Sequence, residues 1–428
     1  MTISGSTAEA PLRPVATPAT GIHPTPAATP ASDAALCDAV ADRIARPKIA
    51  EADSFVLHAP LELLARCALL PLVAPGERER ARRRLARLGE AYDAWGPAID
   101  DPLPRPWPTA EAAAADLVRA IDAGDLEAAD AAAAWLADAT TAEELARALA
   151  DDVLPRLAAA AHGAIFLYQL PRVAARSRSA ARGLRGLVRE LAREREWRLG
   201  WQRERSRDGR ATDDLVERLL CPPSPGDPGS SFIIPTMSLV ERSGLARELL
   251  DEPTRAISVP EASRRLARVA AWSMLQDDPN HAPYGWTHCL SMSQAALGIA
   301  DRSSDPRAAI AIAATYVLGF RATLGRVALD PGWEPEPPTD DDPLAALDGS
   351  PSDAAAAVWH APAAAVPAIV AGVATRAALH HDAHLAKYAV ACFDAARADR
   401  AAGRLYLAAA AFLCAWWAEQ PGDGLRDE

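Results

Sequence analysis

Apolar residues recur at intervals of three or four positions along most of the chain, starting near Asp33. This spacing places them on one face of an amphipathic α-helix, so the pattern predicts a succession of helices. Thr109 and Thr141 are good N-caps, and Glu144 stands three positions after Thr141, as in a capping box. Another helix is expected to begin near Pro260. The predicted helices span 33–46, 53–72, 76–95, 109–122, 126–137, 141–169, 172–205, 212–219, 235–250, 259–275, 286–300, 305–327, 351–359, 363–379, 381–396 and 400–418.

Composition supports a helical fold. Half of the residues are hydrophobic, much of that half is alanine, and aromatic residues make up only 5%. Alanine is the best helix former, whereas strands favour the β-branched and aromatic residues that are sparse here. We therefore expect an all-α protein with a single large multi-helix domain and a buried site, and neither an all-β fold nor a parallel sheet.

Three kinds of segment interrupt the helical pattern. Residues 1–32 are rich in Pro, Ala, Thr and Ser, a composition that cannot bury a core, so this tail is predicted to be disordered. The helical domain is expected to cover 33–420, with long loops at 221–234 and 329–350 that could act as lids or linkers. Residues 421–428 form a short tail.

The charge balance argues against nucleic acid as a partner, since 57 acidic residues outnumber 45 basic ones. Arginines do cluster from Arg172 to Arg210, where the spacing predicts one long helix with a solvated face. No signal peptide and no apolar run long enough to span a membrane is apparent. The six cysteines lie far apart without a CxxC pair, so a reduced, cytoplasmic protein without a disulfide framework is expected.

Only two of the basic residues are lysines, Lys48 and Lys387, and the other 43 are arginines. This bias is typical of a GC-rich genome, so a lysine that persists invites a reason. Lys48 has no chemistry around it in the sequence. Lys387 stands in the segment ALHHDAHLAKYAVACF, where His380, His384 and Lys387 have the spacing of one helix face.

Histidines mark four helical segments. His58, His162 and His288 each lie in an apolar run, and His384 is in the segment of Lys387. One histidine on an apolar helix is more often a core residue than a ligand. Several imidazoles buried together would repel if charged and lack partners if neutral, a problem that a metal ion removes. A buried lysine loses its proton readily, and a neutral amine can take up CO2 to form an anionic carbamate ligand, which arginine cannot do.

Together these segments resemble the questin oxidase-like family of aromatic polyketide pathways. HDAHLAKY (381–388) is similar to that family's D-x-H-x-x-K segment, and GWTHCLSMSQAAL (285–297) to its segment with a histidine before a helix. The segments of His58 and His162 follow in the matching order, so the resemblance spans roughly 50–418. It implies an oxidoreductase, an iron- and O2-dependent mono- or dioxygenase that oxidises or cleaves a ring of a flat, anthraquinone-type polyketide.

The same resemblance implies a mononuclear Fe²⁺ ligated by four histidines and a carboxylated lysine. Carried over, the ligands are His58, His162, His288, His384 and carbamylated Lys387, with one coordination position left for O2. The family motif has a histidine three residues before the lysine, which favours His384 over His380. His281 is an alternative to His288. An external reductant such as NADPH is an open requirement, and no nucleotide-binding motif is present.

Further residues are candidates for supporting roles. Tyr168, Tyr284, Tyr388 and Asp382 are the catalytic candidates, and Glu62, one turn after His58, could orient the imidazole of His58. Trp272 and Trp286 could stack on a flat substrate.

Three other interpretations remain. A metallohydrolase could use a carbamylated lysine to bridge two metal ions, although such sites usually sit on (β/α)₈ barrels. Acidic clusters are present, but none forms the DDxxD pattern of a terpene-cyclase-like enzyme. A non-catalytic helical scaffold would bind no metal at all.

Overall fold

The computed structural model describes residues 32–49, 53–174, 179–204, 215–229, 232–255, 257–338 and 342–420. The predicted tails at 1–31 and 421–428 lie outside these ranges. The described residues form α-helices joined by short 3₁₀ turns, and their only β pairing is two isolated bridges. The all-α prediction is confirmed. The helices are α1 (Asp33–Ile44), α2 (Ser54–Leu69), α3 (Arg78–Ala94), α4 (Ala110–Ala123), α5 (Leu126–Ala139), α6 (Ala142–Val153), α7 (His162–Ala174), α8 (Leu184–Arg193), α9 (Leu215–Leu220), α10 (Ile234–Arg242), α11 (Leu245–Leu250), α12 (Val259–Gln276), α13 (Thr287–Gly298), α14 (Pro306–Leu324), α15 (Pro351–His360), α16 (Val366–Leu379), α17 (Ala383–Ala398) and α18 (Gly403–Ala418).

The predicted caps are confirmed. Thr109 caps α4, and Thr141 and Glu144 form the reciprocal capping box of α6. Pro260 lies in the first turn of α12, where its missing N–H is not needed, and the cap is Ser258. Most predicted helices are therefore recovered within a few residues of their ends.

Three long predicted helices are broken. The helix predicted over 141–169 ends at Val153, since Pro155 cannot continue it, and resumes at His162. The one predicted over 235–250 is divided at Gly244, whose φ of 81° lies in the left-handed region. The single helix predicted over 172–205 is also wrong, because α8 ends at Arg193 and the chain then runs as an irregular segment beside Pro155.

The solvated arginine face expected on this segment is wrong for its central part. Arg185 and Arg189 of α8 are buried, and both donate hydrogen bonds to the buried carboxylate of Asp130 on α5. Asp101 accepts a further bond from Arg185. Paired charges of this kind can be buried because the attraction between them offsets part of the free energy that it costs to remove both from water.

The hydrophobic residues of the fold form one continuous core cluster that runs from Cys37 to Trp417. Within the described residues, three helices are long and apolar enough to cross a membrane, at Ser54–Leu72, Pro306–Leu324 and Arg400–Ala418, and a bent pair at 351–379 would add a fourth. More than half of each of the three is buried against other helices. Their apolar composition thus has an explanation within the fold, and the absence of a membrane span stays a prediction.

Helices α2, α7, α13 and α17 form a ring in which each contacts the next. This ring brings together the four segments in which the sequence has its buried histidines. On its outer side, α1 packs against α2, and a disulfide joins Cys37 to Cys67 with their Cα atoms 6.3 Å apart. The expectation of reduced cysteines is wrong for this pair. The two residues are 30 positions apart in the sequence, and only the packing of the two helices brings them together.

Candidate metal centre

The four histidines project from the beginnings of the four ring helices. His162 is the first residue of α7, His288 and His384 are the second residues of α13 and α17, and His58 is the fifth residue of α2. Because these helix ends meet, side chains from distant parts of the chain share one small space. The ring centroids of His58 and His162 are 4.6 Å apart, and that of His384 lies 4.8 Å from His58 and 4.9 Å from His288.

One nitrogen from each of His58, His162 and His288 lies within 4.8 Å of the others. Three nitrogens that bind one ion at about 2 Å each stand roughly 3–3.5 Å apart. The three nitrogens would therefore move inwards by up to roughly 1 Å each to share an ion. The ring centroid of His384 lies 4.8 Å from that of His58 and 4.9 Å from that of His288, so this imidazole borders the cluster.

Hydrogen bonds at Nδ1 fix the orientation of three of the imidazoles. His58 donates to the carbonyl of Ser54 at 2.6 Å, and His288 donates to the carbonyl of Tyr284, so both use the backbone four residues earlier. His384 donates to the carboxylate of Asp382 at 2.8 Å. Since a carbonyl and a carboxylate only accept, Nδ1 carries the proton and the lone pair lies on Nε2. The Nε2 atoms of His58 and His288 are buried without a partner.

His162 is the least satisfied of the four. Its side chain is only 1% exposed, and neither ring nitrogen has a hydrogen-bond partner. The backbone just before it is strained, because Ala159, Ala160 and Ala161 have φ values of 51°, 51° and 56°. Left-handed alanines each cost roughly 1–2 kcal/mol, and strain of this kind concentrates at functional sites. This turn sets the direction in which α7 begins.

Lys387 stands one turn after His384 on α17. It is 2% exposed, and its Nζ has no hydrogen-bond partner. Burial lowers the pKa of Lys387 to about 7, although the carboxylates of Asp382 and Glu62 act in the opposite direction. A neutral amine is thus accessible near neutral pH.

The imidazoles are also held neutral. Burial lowers the pKa of His58, His162 and His288 well below the usual value, and it lowers that of His384 too. The positive charge of Lys387 acts in the same direction on all four. Neutral imidazoles with inward lone pairs are the form that binds a metal ion.

Asp382 orients His384 and also caps α17, because its carboxylate accepts from the backbone N–H of His384. Its second oxygen lies 3.4 Å from the hydroxyl of Tyr284, which is 37% exposed. Burial raises the pKa of Asp382, but its interaction with His384, which includes hydrogen bonds from the ring and the backbone of that residue, outweighs this effect and holds the pKa well below its usual range. The carboxylate therefore stays ionised.

Two arginines hold the loop that carries Asp382 through hydrogen bonds to backbone carbonyls. Arg66 of α2 donates to the carbonyls of Ala378 and His380 at 2.6 Å each, and Arg84 of α3 donates to that of His381 at 2.8 Å. These carbonyls end α16, so the arginines satisfy acceptors that the helix leaves open. We call this arrangement the arginine clamp of Arg66 and Arg84.

Glu62 belongs to the clamp and does not orient His58 as predicted. Its carboxylate accepts from Arg66 Nε at 2.7 Å and faces Arg84. The imidazole of His58 instead donates to the carbonyl of Ser54, one turn earlier on α2. The prediction failed because Glu62 pairs with the charged guanidinium of Arg66 and not with the neutral imidazole of His58.

Two histidines that the sequence left open lie elsewhere. His380 is the C-cap of α16 and precedes the start of α17, so it does not share a helix face with His384 and Lys387 as the spacing suggested. Its ring packs on Trp417 at 4.8 Å. His281 is in a 3₁₀ turn, where its ring contacts Trp286.

The remaining candidates are distributed around the fold. Tyr284 lies beside the ring of His384 at 4.9 Å. Tyr168 instead packs under Arg172, and the buried Tyr388 has its pKa raised by burial and then by Cys392. Trp286 is fully buried and donates to the carbonyl of Asp278.

Two aromatic residues that the sequence analysis missed line the exposed side of the site. The ring of Phe232 is 5.5 Å from His288 and 6.3 Å from Tyr284, and Trp417 is 6.4 Å from Tyr284. Phe232 has a φ of 114°, which few residues other than glycine adopt. The Pro/Gly composition of 221–234 indicates a loop, but no local signal indicates where its one phenylalanine points.

Lys48, which had no evident role, is a structural residue. It is buried, and its Nζ donates to the carbonyl of Asp93 in the last turn of α3 and to that of Gly96 just after this helix. Both lysines of the chain are therefore buried, and all other basic side chains are arginines. Only Lys387 lacks a partner for its amine.

The residues present fit a metal ion, since three imidazoles offer unpartnered nitrogens, a fourth ring faces them and a neutral amine stands close by. Comparison with models of known protein families, with curated proteins and with solved structures finds no match.

Proposed function

We propose that this chain is a non-haem, iron-dependent oxygenase whose single helical domain holds one Fe²⁺ with His58, His162, His288, His384 and a carbamate formed on Lys387. The observation that carries the proposal is the set of buried, unpartnered nitrogens that converge where four helices begin. Leaving one buried polar group without a partner costs about 1–3 kcal/mol, and several at one point are hard to explain without a ligand.

The choice of iron and oxygen rests on the donor set and on the resemblance to the questin oxidase-like family. Neutral imidazoles suit iron as well as zinc and copper, and one anionic oxygen ligand would leave Fe²⁺ with a net charge of +1. Five ligands leave one octahedral position open. When bound, the iron would supply activation of O2.

The chain's own residues fit a flat aromatic substrate on the exposed side. Phe232, Tyr284 and Trp417 offer aromatic faces, which favour offset or edge contacts with a planar ring. The Tyr284 hydroxyl can donate to a substrate oxygen. Asp382 keeps His384 in the required tautomer, and its low pKa makes it a positioning group and not a base.

The experiment is a dioxygen-uptake assay of the Fe²⁺-loaded protein with polyhydroxylated anthraquinones. We expect uptake that depends on substrate, and mass spectrometry after ¹⁸O2 should find label in an oxidised or ring-opened product. One or two labelled atoms separate a mono- from a dioxygenase. An added NADPH arm decides whether a reductant is needed.

Matched variants sharpen this test. His288→Ala should abolish uptake and His281→Ala should retain it. The reverse result would show that His281, and not His288, is the ligand. Binding of two zinc ions with hydrolytic activity would favour the metallohydrolase. No substrate-dependent uptake together with no bound transition metal would favour a non-catalytic scaffold and overturn the proposal.

A further inference from the structure

A small cavity of about 20 Å³ lies among α1, α2, α7 and α8, behind the metal centre. A volume of about 10–15 Å³ suffices for one water-sized molecule, so this space holds one small molecule and no more. Most of its lining is apolar, and it includes Val56, Leu57, Pro60, Leu61, Phe166 and Leu187.

His162 is part of the lining of this cavity. The same imidazole takes part in the nitrogen cluster with His58 and His288. The cavity therefore borders the candidate metal centre at His162.

Two glycines, Gly183 and Gly186, line the cavity. A Cβ on Gly183 would come within 3.2 Å of both Phe166 and Pro60, so a side chain there would press on the wall. A Cβ on Gly186 would meet nothing within 4 Å. Glycine in the first turns of α8 is otherwise unfavourable, by roughly 1 kcal/mol relative to alanine.

The polar groups at the outer rim already have partners. Lys48 Nζ donates to the carbonyls of Asp93 and Gly96, and the Tyr92 hydroxyl donates to the carbonyl of Arg46. A buried water normally makes two to four hydrogen bonds, and here the unpartnered group is His162 alone. A small apolar molecule suits the space better than water does.

We propose that this cavity is a binding site for molecular dioxygen, placed next to His162. The size admits a diatomic molecule, and the apolar wall favours a solute that water solvates poorly. Its use as a supply of O2 for the metal centre rests on the proposed oxygenase function. The binding of O2 itself does not.

The test uses dissolved O2 as the probe and needs neither metal nor substrate. O2 is paramagnetic and broadens the NMR signals of methyl groups that it approaches. In methyl-labelled protein, raising the O2 pressure should broaden the signals of Val56, Leu61 and Leu187 several-fold more than those of Val373 and Leu413, which are also buried but lie outside the cavity.

Gly186→Leu should fill the cavity and remove the excess broadening. Gly76→Leu is the matched control, because a Cβ there also meets nothing within 4 Å and Gly76 does not line the cavity. If the leucine disturbs α8, Gly186→Ala replaces it, and it should reduce the excess broadening by a smaller amount.

Equal broadening of cavity and reference methyls in the wild-type protein would overturn the inference, as would an ordered water bound to His162 that O2 does not displace. Either result leaves the metal centre untouched. Conversely, excess broadening in a protein that binds no iron would support the dioxygen site and contradict the proposed oxygenase function.

Discussion

Asp382 accepts a hydrogen bond from Nδ1 of His384 at 2.8 Å, and this contact links the candidate metal centre to the arginine clamp of Arg66 and Arg84. The clamp holds the carbonyls of His380 and His381, just before Asp382. A carboxylate that orients a ligating histidine is typically worth 10–100-fold in metal affinity. The position of His384 should therefore depend on groups that never touch the metal.

Asp382→Asn tests this link. Asparagine is as good an N-cap as aspartate, so α17 and the overall stability should be preserved. Loss of the carboxylate charge should lower Fe²⁺ affinity by about 10–100-fold in a chelator competition assay. Arg84→Gln should act in the same direction with a smaller effect, and Arg80→Gln, one turn earlier on α3, is its control. Unchanged affinity in both Asp382→Asn and Arg84→Gln would show that the link plays no part.

The pKa of Lys387 predicts how the stability of the metal-free protein depends on pH. Its value of about 7 in the folded chain lies below the unfolded value of about 10.4, so the unfolded chain binds more protons between these limits. The free energy of unfolding should then rise with pH across this window, with a slope approaching 1.4 kcal/mol per pH unit from this group.

Two variants isolate that contribution in urea unfolding curves at pH 6–10. Lys387→Met carries no charge and should remove the rise, with its largest advantage over the wild type at low pH. Lys387→Arg stays charged throughout and should remain destabilised at every pH. A wild-type curve parallel to that of Lys387→Met would contradict a lowered pKa.

A carbamate on Lys387 should be visible directly. With ¹³C-bicarbonate and ¹⁵N-lysine, the protein loaded with diamagnetic Zn²⁺ in place of Fe²⁺ should give a carbamate carbon signal with one-bond coupling to nitrogen. Lys48→Arg should keep this signal and Lys387→Arg should lose it, a comparison made clean by the presence of only two lysines. A signal that survives Lys387→Arg would exclude this ligand.

The left-handed turn before His162 yields a stability prediction. Ala160→Gly relieves a strain of roughly 1–2 kcal/mol and stabilises the unfolded chain through its entropy by roughly 0.4–1 kcal/mol, so a net gain of up to about 1.6 kcal/mol is expected. Ala148, also half-buried but in the regular helix α6, is the control, where glycine should destabilise by about 1 kcal/mol. Equal losses in the two variants, measured by thermal unfolding, would argue against strain at Ala160.

Periodicity and capping were enough to predict the helical fold, as Thr141 with Glu144 illustrates. The segments that bring His58, His162, His288, His384 and Lys387 together were also recognisable, since each sets a polar group in an apolar run. The position at which these side chains meet could not be predicted from the sequence, because it depends on how four helices pack.

The errors have a common cause. His380 matched the spacing of one helix, but Asp382 caps a new helix after it, and a cap outweighs periodicity. Glu62 matched the spacing for a partner of His58, but Arg66 lies equally near and carries a charge. In both cases local spacing allowed two outcomes, and a contact formed only in the folded chain decided between them.

The central claim is that these side chains hold one metal ion, and the metal content after anaerobic loading with Fe²⁺ tests it most directly. We predict one tightly bound iron per chain in the wild-type protein and in His281→Ala, and almost none in His162→Ala. A wild-type protein without bound iron, or a His162→Ala variant that binds as much as the wild type, would contradict it.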